Sequence, residues 1–298
     1  MPVYLDADID PIELTGYARA ALAAEEENQF FAGVLPNLFV PDVQFVIAQN
    51  TQATVSIAQY RAPNVEGKLA DGAYGRSEVR GQIPPMTEVD VMKEFDLIRT
   101  RANPENEILN QMWKDVTERV RACARRINLA RGELVEYGEV VIDEGGIQAT
   151  IDFNRDSGMS STAGTLWTNI AALGLSDLAT IIQAYIDENG FAPGRIVSST
   201  ATRQRFRRLT QVINAVGGLT PVARLEDVND LLANEDMPPW VTNDERYTTA
   251  DGVQRVMSDN VVLLLPPDDV LIGNTLYGTS AEAQVLGLPV AAQPGQGE

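Results

Sequence analysis

The chain has 298 residues, 44% of them hydrophobic, and its 42 acidic and 23 basic residues give a net charge of −19. That length allows one or two domains with a sizeable core, whereas the acidic balance argues against nucleic-acid binding as the main activity. The sequence contains no histidine, so triads, dyads and metal sites that depend on an imidazole are excluded.

The chain carries no signal for secretion or for a membrane span. Its first residues, MPVYLDADIDP, lack the basic and apolar regions of a signal peptide. The longest strongly apolar run, Val261–Leu265, is too short to cross a bilayer. Cys123 is the single cysteine, which rules out an internal disulfide and suits a reducing compartment. We therefore expect a soluble protein that is made in a cytoplasm and has no membrane partner.

The first predicted elements are a helix and a strand. Residues Asp10 to Asn28 have helical spacing of apolar side chains, with Pro11 at a first-turn position. Pro36 and Pro41 then interrupt extended pieces. Val43, Phe45 and Ile47 alternate with other residues, which is the period of a strand.

A long polar segment, RAPNVEGKLADGAYGRSEVRGQIPPMTEVDV, runs from Arg61 to Val91. Loops longer than about 15 residues are uncommon in compact domains unless they are functional or disordered. Strand-like alternation precedes it at Val55 and Ile57 and ends it at Val89 and Val91. The pattern predicts a two-armed extension whose tip is roughly Asn64 to Pro85. Because a two-stranded ribbon cannot bury its own faces, this extension needs a surface outside its own domain.

A long helix is predicted to follow. Asn103-Pro104 and two acidic residues form a typical helix start. One apolar stripe then recurs every three or four residues at Ile108, Met112, Val116, Val120, Cys123, Ile127, Ala130 and Leu134. A coiled coil is the alternative, but the flanking charges lack a clear heptad pattern.

The rest of the chain predicts a hairpin and then an α/β region. Val140–Ile142 and Ala149–Phe153 flank an Asp-Glu-Gly-Gly turn. The elements predicted after it are a helix capped by Ser176 and ending at Gly190, a strand at Ile196–Ser199, a helix from about Ala201 to Val216, a short helix at Leu225–Asn234 and a strand at Val261–Leu265.

No residue pattern predicts a catalytic, metal or cofactor site. Asp152, Asn154 and Asp156 resemble half of a calcium loop, but the later positions do not fit, so a polar turn is the better interpretation. Asp268-Asp269 is interpreted as a turn at a strand end, and Cys123 as core. Four arginines, Arg203, Arg205, Arg207 and Arg208, form either a solvated helix face or an inter-subunit charge surface, with nucleic-acid contact as the third alternative.

The order of these elements resembles the major capsid proteins of tailed bacteriophages. The chain is similar to the Hong Kong 97-type fold and, within it, to the lambda major capsid protein E family. The likeness rests on three segments: the extension at Arg61–Val91, RGELVEYGEVVIDEGGIQATIDFNRDSG, and VLLLPPDDVLIGNTLYG. The resemblance covers essentially the whole chain.

The resemblance implies an α+β fold with an N-terminal arm, an extended β-hairpin loop, a long spine helix, a peripheral domain and an axial α/β domain. It divides the chain into an arm (1–52), an extended loop with flanking strands (53–100), a peripheral domain with the long helix and hairpin (101–164), an axial domain (165–260), and a return strand with a C-terminal tail (261–298).

The function that the resemblance implies is structural: a self-assembling head protein of hexamers and pentamers in the icosahedral shell of a double-stranded DNA phage. The expected location is the virion, assembled in the bacterial cytoplasm. The expected partners are other copies, separate scaffolding and portal proteins, a possible decoration protein, and enclosed DNA bound without sequence specificity. No enzyme activity and no cofactor are implied.

Ten residues are the candidate inter-subunit contacts: Arg61, Asn64, Glu66, Lys68, Tyr74, Arg76, Glu78, Arg80, Arg203 and Arg207. Lys68 stands where some members of the wider fold carry a cross-linking lysine, although the lambda-like branch does not imply that chemistry. Two other functions stay open: the shell of an encapsulin-type nanocompartment, and a carboxylate-dependent hydrolase.

Overall fold

The computed structural model describes residues 11–40, 44–50, 76–86, 104–218, 220–249 and 252–278. The predicted strand positions Val55, Ile57, Val89 and Val91 lie outside these residues, as does the predicted C-terminal tail. Within them the chain alternates helices and short strands, as the sequence predicts.

The first predicted helix is confirmed as α1, Pro11–Glu26. A short helix, α2 at Phe30–Val34, and a strand, β1 at Asn37–Phe39, follow it. The helix α1 lies against the long helix described below: the Tyr17 ring meets Trp113 edge-on at 4.5 Å between centroids. The Tyr17 hydroxyl is also 3.0 Å from the Thr117 hydroxyl.

The ribbon is formed by β2 (Gln44–Asn50) and β3 (Arg76–Gln82), which pair antiparallel from Gln44–Gln82 to Asn50–Arg76. The prediction that residues 76–82 belong to the tip is therefore wrong. Gly81, interpreted as a loop residue, lies opposite Phe45. A Cβ at Gly81 would come within 2.6 Å of Phe45 Cζ, so this glycine makes room for an aromatic ring across a strand pair.

The long helix is confirmed as α3, Pro104–Tyr137, whose 34 residues span roughly 50 Å. It ends where Gly138 adopts a left-handed φ of 81°. Arg155 then caps the helix, donating to the carbonyl oxygens of Val135 at 3.0 Å and Glu136 at 2.8 Å. Arg155, which lies within the second resemblance segment, therefore has a structural role at the end of the helix.

The predicted hairpin is confirmed, with longer strands than expected. Strands β4 (Glu139–Glu144) and β5 (Ile147–Asp152) pair antiparallel. Gly145 and Gly146 have φ of 56° and 85°, which is the backbone of a two-residue type I′ turn and requires glycine or a similar residue. A single 3₁₀ turn at Ser157–Met159 follows.

Among its described residues, the α/β region contains four helices and a three-stranded sheet. The helices are α4 (Gly174–Asn189), α5 (Thr200–Phe206), α6 (Thr210–Ala215) and α7 (Leu225–Asn234). The sheet strands are β6 (Arg195–Ser198), β7 (Trp240–Thr242) and β10 (Val262–Leu265), in the order β10-β6-β7. A separate hairpin joins β8 (Arg246–Thr249) to β9 (Gly252–Arg255).

Two predicted helix limits in this region are wrong. Helix α4 begins at Gly174 rather than after Ser176, although Gly190 does end it with a φ of 76°. The single helix predicted from Ala201 to Val216 is two helices. The break follows from packing: Leu209 is fully buried, and the Thr210 amide leaves the helical ladder to donate to the Ile170 carbonyl at 2.8 Å.

The three-stranded sheet separates two hydrophobic cores. On β6, Ile196 belongs to the core formed with helices α4 to α7, and its neighbour Val197 belongs to the core formed with α2 and α3. Alternate side chains of a strand point to opposite faces, so β6 is buried on both. The last described strand, β11 (Thr275–Tyr277), pairs parallel with β1.

Candidate interaction surfaces

Most candidate contact residues of the extension lie outside the part of the chain that the structure describes. Arg61, Asn64, Glu66, Lys68 and Tyr74 fall outside the described residues. Arg76, Glu78 and Arg80 occupy alternate positions of β3. Arg80 is exposed and lies opposite Val46 of β2. Their role as inter-subunit contacts stays a prediction.

The arginine cluster is divided by the structure. Arg205 donates to the Asn260 side chain at 2.5 Å, and Arg207 Nε donates to the Ala223 carbonyl at 2.8 Å. Arg203 is half-buried and Arg208 is exposed. Two of the four arginines therefore have hydrogen-bonding roles within the subunit, which the sequence did not indicate.

The most connected polar group of the described residues is a junction around Arg131 of α3, whose side chain is 3% exposed. Its guanidinium binds Glu26 at 2.9 Å. It also donates to Asn37 Oδ1 at 2.5 Å and to Thr275 Oγ1 at 2.8 Å. Arg131 thus joins α1, β1, α3 and β11.

Glu26 completes this junction from the other side. One of its oxygens accepts from the Tyr277 hydroxyl at 3.2 Å, and the other accepts from the Asn37 amide at 2.5 Å. Burial, reinforced by the Glu26 carboxylate, raises the pKa of Tyr277 above its ordinary value. The tyrosine therefore stays neutral and keeps donating to the carboxylate.

A second buried polar group lies one helical turn away. Asn128, fully buried, donates from Nδ2 to Glu245 at 2.7 Å and to the Tyr247 hydroxyl at 2.9 Å. The other oxygen of Glu245 accepts from the Phe30 amide at 2.8 Å. This group fixes the start of α2 and strand β8 to the long helix.

The N-terminal region is held by a third set of contacts at the surface. Glu25 accepts from Arg125 at 3.0 Å and lies 3.3 Å from Arg121. Both arginine side chains are about half exposed, at 49% and 51%, so each pair stabilises by at most about 1 kcal/mol. The buried Arg131 junction is the stronger attachment.

Large apolar side chains are exposed on the segment before α4. Leu166 is 62% exposed, Ile170 64% and Leu173 58%. The segment is nevertheless anchored, because Trp167 and Ala172 belong to the helical core and the Trp167 indole donates to Asp177 at 2.8 Å. Exposed apolar residues on a fixed backbone are typical of protein–protein contact sites.

The carboxylates considered for chemistry have structural partners. Asp268 pairs with Arg195 at 2.8 Å. Asp152 accepts from the Asn154 amide at 2.7 Å and Asp156 from the Gly158 amide at 2.6 Å, which is the predicted polar turn. Cys123 is half-buried rather than a fully buried core residue. Across the described ranges, no group of three Cys, Asp or Glu side chains is placed to hold a metal.

Among the helices that the structure describes, none is long and apolar enough to cross a membrane.

Comparisons with known proteins identify the fold. No protein-family model matches the chain, and no curated protein matches it. The chain is similar to the crystal structure of a protein provisionally assigned as the capsid protein of a prophage of E. coli CFT073, with a TM-score of 0.59 and 14% sequence identity over 96% of this chain and 88% of that one. The chain therefore has the fold of this prophage protein.

A second solved structure is a phage-related protein from Bordetella bronchiseptica RB50. The similarity covers 86% of this chain and 76% of that protein's chain, with 14% sequence identity and a TM-score of 0.42. That score is too low to indicate a shared fold.

Proposed function

We propose that the protein is a phage major capsid protein, a structural subunit that assembles into the shell of a tailed double-stranded DNA phage. The observation that carries this proposal is the fold shared with the prophage protein over 96% of the chain. We further propose that the fold is of the Hong Kong 97 type and that the nearest branch is the lambda-like one, on the residues quoted for that resemblance.

The architecture supports a subunit that is completed by neighbours. In the described part of the chain, four of the five sheets have only two strands. An isolated two-stranded sheet is marginal in water, and its outer edges are open to another chain. The anchored apolar residues at 166–173 add a surface that the subunit does not bury. A shell subunit, which must contact several copies, uses such features.

The carboxylates that the sequence singled out give the hydrolase alternative no support. Catalysis by a carboxylate pair needs two groups that share a cleft, with at least one shifted pKa. Asp152, Asp156 and Asp268 are instead bound to backbone amides or to an arginine. A structural role is therefore the better account of these acids.

The finer parts of the proposal concern assembly. We expect hexamers and pentamers in the shell, separate scaffolding and portal proteins, and enclosed DNA without sequence-specific contacts. The net charge of −19 suits a container wall, because an acidic surface repels phosphate.

The first experiment expresses the chain alone and examines it by negative-stain microscopy and sedimentation velocity. The expected result is closed, hollow particles or sheets of capsomers. An encapsulin-type compartment would instead copurify with a folded protein cargo, which mass spectrometry of the particles detects. A protein that stays monomeric at every concentration, with or without coexpressed phage scaffolding protein, would contradict a capsid role.

The second experiment tests the extension. Asn50 pairs with Arg76 in the ribbon, so a two-residue Asn-Gly turn can replace residues 51–75 and still close the hairpin. This deletion removes Arg61, Lys68 and their neighbours. Loop length changes stability by only about 0.6 kcal/mol per doubling, so the subunit should melt almost as the full chain does.

The same deletion should abolish closed particles, because the predicted contact residues are lost while β2 and β3 remain. A control variant that replaces residues 51–75 by a Gly/Ser linker of equal length separates side-chain contacts from loop length. Particles of normal size from the shortened chain would show that the extension is not an inter-subunit contact.

A further inference from the structure

The α/β region carries two oppositely charged surfaces. The arginine surface consists of Arg203, Arg207 and Arg208 with the apolar side chains of Leu166, Ile170 and Leu173. The acidic surface is the outer side of α7 and its C-terminal turn, with Leu225, Glu226, Asp227, Asp230, Glu235 and Asp236. Within the described residues, no ion pair of 4.0 Å or less involves any charged member of either surface.

A backbone contact joins the two segments that carry the arginine surface. The Thr210 amide donates to the Ile170 carbonyl at 2.8 Å, which places Ile170 beside the α5–α6 junction. Thr210 follows Arg208 by two residues. Gly174 strengthens this contact, since a Cβ there would lie 2.4 Å from Leu209 Cδ1. Exposed apolar residues next to arginines have the composition of a protein–protein interface.

The acidic surface lies on a helix with one buried side. Val228 and Leu232 are each 1% exposed, whereas Asp230 and Glu235 face solvent. Glu226 and Asp230 are four residues apart on this helix, and Arg203 and Arg207 have the same spacing on and just after α5. Like charges at that spacing repel one another, so binding a partner of opposite charge would reduce the repulsion within each surface.

We propose that the arginine surface of one copy binds the acidic surface of a second copy. The inference rests on the proposed function, because a shell subunit must contact other copies. Two different surfaces make the contact heterologous, so the same contact repeats from copy to copy and builds rings or larger assemblies. The apolar centre excludes water from the charge pairs and strengthens them.

The test uses charge reversal with mutual rescue. One variant carries Arg203→Glu and Arg208→Glu, and a second carries Asp230→Arg and Glu235→Arg. Glu226 and Asp227 are left unchanged because they lie in the first turn of α7, where acids stabilise the helix. The control is Arg246→Glu, which reverses an exposed arginine on β8 that belongs to neither surface.

Sedimentation velocity measures self-association at fixed salt, and circular dichroism verifies that each variant is folded. Each double reversal should lower the association constant by about 100-fold or more, since like charges face each other across the contact. The control should leave it within about threefold, because a charge outside the contact acts only through the screened field. The four substitutions combined in one chain, and an equimolar mixture of the two double variants, should both restore association.

Five outcomes separate this inference from the proposed function. If the native chain forms particles and both reversals still do, the contact is wrong and the capsid role stands. If the native chain forms only small oligomers that both reversals dissolve and the combination restores, the contact stands without a shell. If neither the combined variant nor the equimolar mixture restores association, the proposed contact is wrong. It is also wrong if the arginine reversal leaves self-association unchanged and alters only nucleic-acid binding. A native chain that never associates overturns both.

Discussion

Arg131→Met is the substitution whose effect follows most directly from the structure. The change removes a guanidinium that is 3% exposed and that binds Glu26 and the Asn37 and Thr275 side chains. It leaves the Glu26 carboxylate, 10% exposed, with only the Asn37 amide and the Tyr277 hydroxyl as donors. Removing one member of a buried ion pair costs about 3–5 kcal/mol, because the other charge stays buried without its partner.

The matched control is Arg125→Met on the same helix. Arg125 also pairs with a glutamate, Glu25, at 3.0 Å, but its side chain is 49% exposed. An exposed pair contributes at most about 1 kcal/mol. Urea denaturation followed by circular dichroism measures the free energy of unfolding of both variants. Equal losses for Arg125→Met and Arg131→Met would refute the argument from burial.

A double variant separates charge from packing. Adding Glu26→Gln to Arg131→Met removes the uncompensated carboxylate, so the double variant should be more stable than Arg131→Met alone. Hydrogen exchange gives a local measure: residues 11–39 and 275–277 should lose protection in Arg131→Met, whereas α4 to α7 should keep theirs. Loss of protection throughout the chain would mean that the junction is not a separable attachment.

Three further outcomes are expected. Gly132→Ala should cost about 1–3 kcal/mol of stability, because the new Cβ would lie 2.2 Å from the Val256 carbonyl oxygen. By contrast, a Cβ at Gly16 would meet nothing within 4 Å, so Gly16→Ala should stabilise α1 by about 1 kcal/mol. Thermal melts compare the two variants. The pKa of Tyr277 is raised in the folded state, so the protein should keep its full stability below about pH 10, the pKa of a tyrosine in the unfolded chain. Above that pH the free energy of unfolding should fall. In alkaline denaturation curves, Tyr277→Phe should make this fall less steep. Burial raises the pKa of Glu133, so the folded protein loses stability as pH rises through that pKa and the buried carboxyl becomes charged. Glu133→Gln removes this charge and should therefore raise the melting temperature at neutral pH more than at acidic pH.

Elements with local signals could be predicted from the sequence. The stripe on α3, the Gly-Gly turn between β4 and β5, and the limits of α7 all depend on residues within a few positions of one another. Strand β3 could not be predicted, because its sequence RSEVRGQ is polar and its partner β2 is distant in the chain. The break after α5 was missed for the same reason, since Leu209 is held by Gly174 of another helix.

The buried junction was missed because polar residues on a helix indicate a solvated face. On α3 the apolar stripe at Val116, Val120 and Ile127 is only half-buried, whereas Asn128 and Arg131 are nearly inaccessible. A weak signal existed: Ala124, Asn128, Arg131 and Gly132 follow helical spacing and share one side of the helix. The partners that make those polar residues tolerable, Glu26 and Glu245, lie far away in sequence.

The parallel pairing of β1 with β11 has a consequence for synthesis on the ribosome. Asn37 pairs with Thr275, and Phe39 with Tyr277, so strand β1 has no partner strand until residues 275–277 have been made. At about 5–20 residues per second, roughly 240 residues of translation take on the order of 10–50 s. During that time α1 can already pack against α3, but strand β1 still lacks the strand that it pairs with. The pairing of β1, and with it the Thr275 contact of the Arg131 junction, is thus completed only after residues 275–277 have been made.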